Sequence, residues 1–305
     1  WEFAVEAGGA VRGLFNTNPA APASTIEHPL SGTSSAYMLQ AEHTRFGGGT
    51  NRFTVTGDDS VLHSGEECGD WAMLAGSTGA FVVACKDAAR QHPKEFELFT
   101  DRAVLKLFSN RAGEELDFRP ASLAQKWNLN DDWAERVAKV ETSGAGWSKT
   151  HELSFAVLSG AKAEASAAKL AGLRVAPVYA SVDPVWVATS GAMGPLHPRS
   201  PTRFPAAEGM VDRLFEALLP RGHSTGHYGF MDYYAGPTYG GGSGPCRAGR
   251  YRLTYGLRSS IWLVYARSGD RAVREFAEGT NKAYLDNYLS HWEARGKVRG
   301  VFTGM

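Results

Sequence analysis

The spacing of apolar residues changes part-way along this chain of 305 residues. Up to about residue 180, short apolar or alternating stretches are separated by Gly- and Asp-rich turns, a pattern typical of antiparallel strands. From about residue 207, apolar residues recur at helical spacing. We therefore predict an α+β multidomain fold, in which an antiparallel β-sandwich-type domain at residues 1–182 is followed by a helical portion at residues 207–305.

The strand predictions rest on alternation and on continuous apolar runs. The Gly-Ser-Thr-Gly sequence at 76–79 and the Thr-Asp-Arg sequence at 100–102 each predict a hairpin turn. In the last predicted strand, Lys149 and His151 are two residues apart and would share one face. The predicted strands are residues 2–6, 36–43, 52–56, 71–74, 80–85, 96–99, 104–108 and 146–158.

The helix predictions lie mainly after a proline-rich connecting segment at residues 183–206. Asp270 is a good N-cap after a tight Ser-Gly turn, which predicts an αα-hairpin. Repeated hairpins of this kind build (α/α) toroids, so we expect a truncated toroid whose Phe276 and Tyr284 lack partners. The predicted helices are residues 86–92, 131–140, 161–171, 211–219, 253–266 and 270–293.

Charge and cysteine content exclude several classes of protein. Lys plus Arg number 32 and Asp plus Glu also number 32, and no basic run is present, so we predict no nucleic-acid partner. Since no apolar run is long enough to cross a bilayer, we predict no membrane partner. The spacing of the three cysteines matches no zinc pattern.

The stretch at residues 221–239 combines histidines, tyrosines and an aspartate with several glycines. Aromatic rings stack on the apolar faces of sugars, while His, Tyr and Asp supply proton-transfer groups and hydroxyl partners. This mixture predicts a cleft that holds a sugar. An irregular, partly buried connection between two domains is the alternative interpretation of the same residues.

Five segments resemble the exo-rhamnogalacturonan lyase-like (YetA-like) polysaccharide lyases. They occur in the same order as in that family, at residues 86–120, 146–155, 183–195, 228–237 and 265–278. The resemblance implies a central β domain followed by the start of an (α/α) toroid. It also implies a lyase that degrades pectin or another uronate-containing polysaccharide, secreted or periplasmic in its full-length parent. The chain starts at Trp1 inside a predicted strand, carries no signal segment and ends at Met305 without an obvious terminus, so we expect an excerpt of a longer protein. Because the later hairpins that would close the toroid are expected to be missing, we expect the excerpt to be poorly active alone.

Uronate β-elimination needs a cation to neutralise the carboxylate, a base for the C5 proton and an acid for the leaving oxygen. We predict His227 or Tyr228 as the base, with Arg252 neutralising the carboxylate and lowering the pKa of the tyrosine. We predict no cofactor, and a single Ca²⁺ bound by scattered carboxylate and carbonyl oxygens is the alternative. The predicted substrate-binding residues are His223, Asp232, Tyr233, Tyr234, Arg247, Lys149 and His151.

Two other functions fit the same sequence. One is a non-catalytic carbohydrate-binding or structural fragment. The other is a glycoside hydrolase on a similar scaffold, which would need two carboxylates across a cleft. Only Asp232 stands out in the central stretch, so the sequence shows no such pair.

Overall fold

A computed structural model of the chain describes residues 1–42, 52–113, 116, 148–159, 163–175, 178–224, 229–230, 257–289 and 291. The chain divides into two compact units. The first, called here the β unit, comprises Trp1–Asp117, Thr150–Val178 and Tyr228–Phe230. The second, called the helical unit, comprises Phe118–Lys149, Tyr179–His227 and Met231–Met305.

Strands dominate the β unit, as the alternation predicts. The strands are β1 (Glu2–Ala4), β2 (Val11–Asn16), β3 (Thr25–Leu30), β4 (Ser35–Glu42), β5 (Arg52–Gly57), β6 (Ser60–Gly65), β7 (Trp71–Ala75), β8 (Ala80–Cys85), β9 (Lys94–Phe99), β10 (Arg102–Lys106) and β11 (Leu153–Leu158).

These strands form two antiparallel sheets. Sheet A has the order β1-β10-β9-β4-β5-β6, and sheet B has the order β11-β8-β7-β2-β3. Both predicted hairpins are confirmed, since β7 pairs with β8 and β9 pairs with β10. The first hairpin needs glycine at position 76, where a Cβ atom would lie 2.1 Å from the carbonyl oxygen of Ala7.

The two sheets share one apolar core. Phe15 and Val83 from sheet B pack in the same cluster as Met38 and Phe96 from sheet A, and all four are buried. Inward and outward residues alternate along β10, where Ala103 and Leu105 are buried. Since burying one large apolar side chain stabilises a fold by about 1.5–3 kcal/mol, this cluster holds the sandwich together.

A helix, α1 (Ala163–Val175), covers the outer face of sheet B. It confirms the helix predicted at residues 161–171. Ala167 of this helix packs with Trp71 and Met73 of β7, and all three are buried. The small alanine side chains of α1 allow the helix to approach the sheet closely.

The helical unit contains the predicted αα-hairpin, formed by α4 (Leu257–Ser268) and α5 (Arg271–Tyr288). Asp270 caps α5 by accepting hydrogen bonds from the backbone of Ala272 and Val273. The expectation that Phe276 lacks partners is wrong. Phe276 is buried in a cluster with Ile261 and with Phe215 of the preceding helix, α3 (Pro205–Ser224).

One helix lies inside the segment that the prolines marked as a connection. It is α2 (Pro184–Ser190), capped by Asp183 and begun by proline, which fits the first turn of a helix. Pro195, Pro198 and Pro201 do lie outside regular helices, whereas Pro205 is the first residue of α3. Arg267 fastens this region by donating to the carbonyl oxygen of His197 and to the carboxylate of Glu208, which also accepts from the backbone of Ser200.

Two local predictions are corrected. The helix predicted at residues 86–92 is a single 3₁₀ turn, Ala89–Gln91. The strand predicted at residues 146–158 is confirmed for Leu153–Leu158, whereas residues 148–152 are not in a strand. Lys149 and His151 therefore do not share a strand face, and they belong to different units.

Within the part of the chain that the structure describes, no helix combines the length and apolarity needed to cross a membrane.

Candidate functional site

Three segments that are far apart in the sequence meet at His151. This residue lies two positions before β11, next to Glu152, whose carbonyl oxygen accepts a hydrogen bond from the backbone of Lys86 at 3.0 Å. The His151 ring lies 5.3 Å from the ring of Phe230 and within hydrogen-bonding distance of Gln91. We call the group of His151, Gln91, Lys94, Phe108 and Phe230 the His151 site.

Gln91 joins the 3₁₀ turn to the imidazole. Its Oε1 atom lies 3.2 Å from Nδ1 of His151, and its Nε2 atom donates to the carbonyl oxygen of Lys86 at 2.8 Å. The Gln91 side chain is buried. A buried amide with both ends engaged holds the neighbouring imidazole in one orientation.

Phe230 brings the central stretch of the sequence to this site. Its ring makes an edge-to-face contact with Phe108 at 5.4 Å, and its side chain is buried. The preceding residue, Gly229, donates its backbone N–H to the carbonyl oxygen of Arg90 at 2.8 Å. Gly229 has φ of 132°, a conformation that favours glycine, so this anchor depends on the absence of a side chain.

The ammonium group of Lys94 is buried within the site. Its Nζ atom donates to the carbonyl oxygens of Gln91 at 2.7 Å and of Leu107 at 2.5 Å. It also lies 4.7 Å from the centroid of the Phe230 ring, a cation–π contact. One ammonium group therefore connects the 3₁₀ turn, the end of the β9–β10 hairpin and the central stretch.

Asp70 shapes the turn that presents Gln91. Its carboxylate accepts from the backbone of Asp87 at 3.2 Å and of Ala88 at 2.8 Å, and its carbonyl oxygen accepts from the backbone of Cys85. Asp87 itself has a φ of 53°, which is uncommon for a residue other than glycine. The buried carboxylate stabilises the chain reversal between β8 and the 3₁₀ turn.

The site combines an acid–base group, an apolar ring and a fixed cation. An imidazole can take up or deliver a proton near neutral pH, because its unperturbed pKa is about 6.5. Phe108 and Phe230 supply aromatic surface, and Lys94 supplies positive charge. Such a set can transfer protons, and Phe108, which is only partly buried, offers an aromatic ring of the kind on which sugars stack.

The structure brings His151 together with residue 230 of the predicted central stretch. Lys149 lies in the helical unit, and His223 is part of α3. The remaining predicted site residues lie outside the described residues; they are His227, Tyr228, Asp232, Tyr233, Tyr234, Arg247 and Arg252. The helix predicted at residues 131–140 also lies outside them.

Sequence reasoning missed Gln91, Lys94, Phe108 and Phe230. Two signals could have suggested them. Gln91 and Lys94 flank His92-Pro93 directly before a strand, and a Lys opening a buried strand needs polar partners. Phe230 is flanked by Gly229 in a segment already chosen for its aromatic content.

A second polar cluster lies on β9 and its neighbours. Glu95 and Glu97 are two residues apart and buried, and Lys106 and Arg111 each bridge both of them at 2.7–2.8 Å. Ser109 also donates its hydroxyl to Glu95. Two carboxylates are thus matched by two cations, which is the condition for burying charge without a large penalty.

The electrostatics of this cluster favour the charged forms. Burial raises the pKa of Glu97, but hydrogen bonds and charges from Lys106 and Arg111 outweigh it, so the pKa lies below its ordinary value. Burial lowers the pKa of Lys106, and the hydrogen bonds and charges of Glu95 and Glu97 reverse this, so its pKa is raised. The ion pairs contribute stability between the acid range of Glu and the alkaline range of Lys.

Replacing Glu97 by Gln should lower the free energy of unfolding by about 2 kcal/mol at pH 7, since hydrogen bonds to charged groups are lost. A carboxylate with a lowered pKa stabilises the fold above its unfolded pKa of about 4.3 and stops doing so as the pH falls through the folded pKa. The difference between the two proteins should therefore shrink below about pH 4. Urea unfolding at several pH values measures it.

Glu27→Gln is the matched control for that experiment, because Glu27 also pairs with an arginine, Arg12, at 2.7 Å but both side chains are about half exposed. Its effect should stay below about 1 kcal/mol. Equal effects of the two substitutions at pH 7 would contradict the stabilising role of the buried cluster.

Cysteine and metal chemistry find little support among the described residues. Cys68 and Cys85 are buried free thiols, and burial followed by the charge of Asp70 raises the pKa of Cys68 well above its usual range. A thiol of that kind is a poor nucleophile. In the described parts of the chain, no group of three or more His, Cys, Asp or Glu side chains is arranged to hold a metal ion.

Comparison with known proteins finds no match for this chain, either among protein-family models or among curated proteins.

Proposed function

We propose that this protein is a polysaccharide lyase that cleaves uronate-containing polysaccharides of the rhamnogalacturonan type by β-elimination. The observation that carries the proposal is the meeting of His151, Lys94 and Phe230 at one place in the β unit. These residues belong to three of the five segments that resemble the lyase family. Their side-chain types also suit a site for an anionic sugar.

In the proposed reaction, a base removes the C5 proton of the uronate and the C4 oxygen departs with a proton from an acid. The products are an unsaturated uronate and a new chain end, so atoms and charge balance without a cofactor. We assign proton transfer to His151, whose imidazole can take up or deliver a proton and whose Nε2 atom is buried within the site. Tyr228 directly precedes the anchored Gly229 in the sequence, and we retain it as a proton-transfer partner of His151.

Neutralisation of the uronate carboxylate is assigned to Arg252 and Arg247, as the sequence predicted. Lys94 already donates to two backbone carbonyls, so its role is to hold the site together and to keep its potential positive. A bound Ca²⁺ could replace an arginine in this role, since both stabilise the charge that develops on the carboxylate.

A glycoside hydrolase is less well supported by the same geometry. An acid catalyst in such an enzyme needs a carboxyl group with a raised pKa. Glu95 and Glu97 are instead ion-paired with Lys106 and Arg111, and the pKa of Glu97 is lowered. This carboxylate pair is suited to holding the sheet together, and not to donating a proton to a glycosidic oxygen.

The wider architecture belongs to the proposal too. We propose that the α4–α5 hairpin is the beginning of an (α/α) toroid, since among the described residues it has the antiparallel geometry and tight turn of such repeats. We also propose that the protein is secreted or periplasmic, where pectic polysaccharides are encountered.

The test is to incubate the protein with rhamnogalacturonan-type pectin and to follow the ultraviolet absorbance of unsaturated uronates. His151→Ala should lower the rate by about 10²-fold or more, because a proton-transfer group is lost. His63→Ala is the control, since His63 lies on β6 beside Phe53 and should leave the rate unchanged.

Other outcomes identify the competing functions. New reducing ends without the absorbance would indicate a hydrolase. Binding of pectin without any product, in an assay sensitive enough to detect the slow turnover of a poorly active lyase, would indicate a carbohydrate-binding module. A rate that is equal in His151→Ala and in the unmodified protein would remove His151 from the reaction.

A further inference from the structure

We infer that Gln91 is a positioning residue that fixes the tautomer of His151, with the proton on Nδ1 and the basic lone pair on Nε2. The inference rests on the proposed function for its catalytic meaning, because a base must present the correct nitrogen. The tautomer itself follows from hydrogen bonds within the β unit and can be measured without substrate.

The orientation of the Gln91 amide is set by a backbone carbonyl. One end of the amide lies 2.8 Å from the carbonyl oxygen of Lys86, which can only accept a hydrogen bond. The amide NH₂ group must therefore face Lys86. The opposite end, Oε1, is then the atom that lies 3.2 Å from Nδ1 of His151.

The amide orientation determines the state of the imidazole. An amide oxygen can only accept, so Nδ1 of His151 must carry a proton to donate to it. A neutral imidazole has one N–H group, which leaves Nε2 as the nitrogen with the lone pair. In enzymes of the Ser-His-Asp type, a wrong imidazole tautomer lowers turnover by about 10⁴-fold, which indicates how much such a contact can matter.

Gln91 is well suited to this task because its backbone is held on both sides. Asp70 accepts from the turn at Asp87 and Ala88, and the Gln91 N–H donates to the carbonyl oxygen of Asp87 at 3.1 Å. On the other side, Lys94 donates to the Gln91 carbonyl oxygen. The Gln91 amide is therefore attached to a rigid backbone and can hold the imidazole in one orientation. The ring of Phe230 also packs against the imidazole and restricts its rotation.

The experiment is a two-bond ¹H–¹⁵N correlation spectrum of the ¹⁵N-labelled chain, recorded at a pH where His151 is neutral. Protonated and unprotonated ring nitrogens have well separated shifts. We expect the unmodified protein to show a protonated Nδ1 and an unprotonated Nε2 at His151. Assignment comes from the signals that disappear in His151→Ala.

Two substitutions test the role of Gln91. Gln91→Leu removes the acceptor, so the Nε2-protonated form should become populated. Gln91→Glu keeps an acceptor oxygen and should retain the Nδ1-protonated form, with the pKa of His151 raised by the new negative charge. The His63 signals serve as the control and should not change in either variant.

A protonated Nε2 in the unmodified protein, or an unchanged tautomer in Gln91→Leu, would overturn the inference. If Gln91→Leu fails to fold, the unmodified protein and Gln91→Glu still decide the question. The tautomer is measured without pectin, so an error in the tautomer inference can be distinguished from an error in the proposed lyase function. If the tautomer inference and the proposed lyase function are both correct, Gln91→Leu should lower kcat with little change in KM.

Discussion

Replacing Trp71 by alanine is expected to lower the free energy of unfolding of the β unit by about 3–5 kcal/mol. Trp71 heads the fully buried side chains in order of volume, with a relative exposure of 0%. Its ring packs between sheet B and α1, beside Leu14 and Ala167. Because Trp71 fills the space between sheet B and α1, its replacement by alanine leaves a cavity there. The sheet cannot move to fill that cavity without breaking hydrogen bonds between its strands.

The indole N–H adds a polar part to this loss. It donates to the carbonyl oxygen of Pro22 at 3.1 Å, so alanine also leaves that acceptor without its donor. Trp71→Phe should therefore cost less than Trp71→Ala but more than the loss of the hydrogen bond alone. Urea denaturation followed by far-ultraviolet circular dichroism measures both variants.

Trp1→Ala is the matched control, because the Trp1 side chain is 69% exposed while its backbone carbonyl accepts from Leu105. The substitution keeps that backbone bond and should change stability by less than about 0.5 kcal/mol. If Trp71→Ala had an equally small effect, the packing of α1 on sheet B would contribute little to the β unit.

Strand positions were predictable wherever alternation or a continuous apolar run was visible. The predicted stretches at 71–74 and 80–85 match β7 and β8, because both faces of these strands are buried and their apolar runs are continuous. Strands β2, β3 and β6 were missed. Glycine in β2, proline in β3 and exposed positions in β6 weaken the pattern, and pairing with neighbouring strands decides their conformation instead.

Helix predictions succeeded where capping and spacing agreed. Asp270 marked the start of α5, and its carboxylate does cap that helix. The helix prediction at 86–92 failed because Asp70 and Lys94 hold the backbone of this segment in a turn. Asp70 lies 18 residues before Ala88, and the helix propensity of the segment itself does not reveal that contact.

The candidate site was predictable in part. His151 and the segment containing Phe230 were both selected from the sequence, and the structure brings them within 5.3 Å of each other. Gln91 and Lys94 were not selected, because their importance arises from hydrogen bonds to carbonyl groups of Lys86 and Leu107. Backbone acceptors of this kind leave only an indirect signal in the sequence, such as a Lys that opens a buried strand.

Replacing Lys94 by methionine is expected to lower the free energy of unfolding of the β unit by about 3 kcal/mol or more and also to disturb the His151 site. Methionine fills a similar volume but cannot donate a hydrogen bond. The carbonyl oxygens of Gln91 and Leu107 would then lose their shared donor, and each buried unsatisfied acceptor costs about 1–3 kcal/mol. The cation–π contact with Phe230 would be lost as well.

The effect on the site should be separable from the effect on stability. Without Lys94, the Gln91 carbonyl and the Phe230 ring each lose one of their contacts, so the amide N–H of Gly229 should exchange with solvent faster than in the unmodified protein. Hydrogen exchange at low denaturant measures this local loosening. Under the same conditions the strands β7 and β8, which lie in the centre of sheet B, should keep their protection.

Lys169→Met is the control, since Lys169 lies exposed on α1 and the substitution makes the same chemical change there. It should alter stability by less than about 0.5 kcal/mol and leave Gly229 protected. If Lys94→Met behaved like Lys169→Met in both measurements, the buried ammonium would not be what joins the 3₁₀ turn to the central stretch. If Lys94→Met lowered stability but left the exchange of Gly229 unchanged, Lys94 would support the β unit without organising the His151 site.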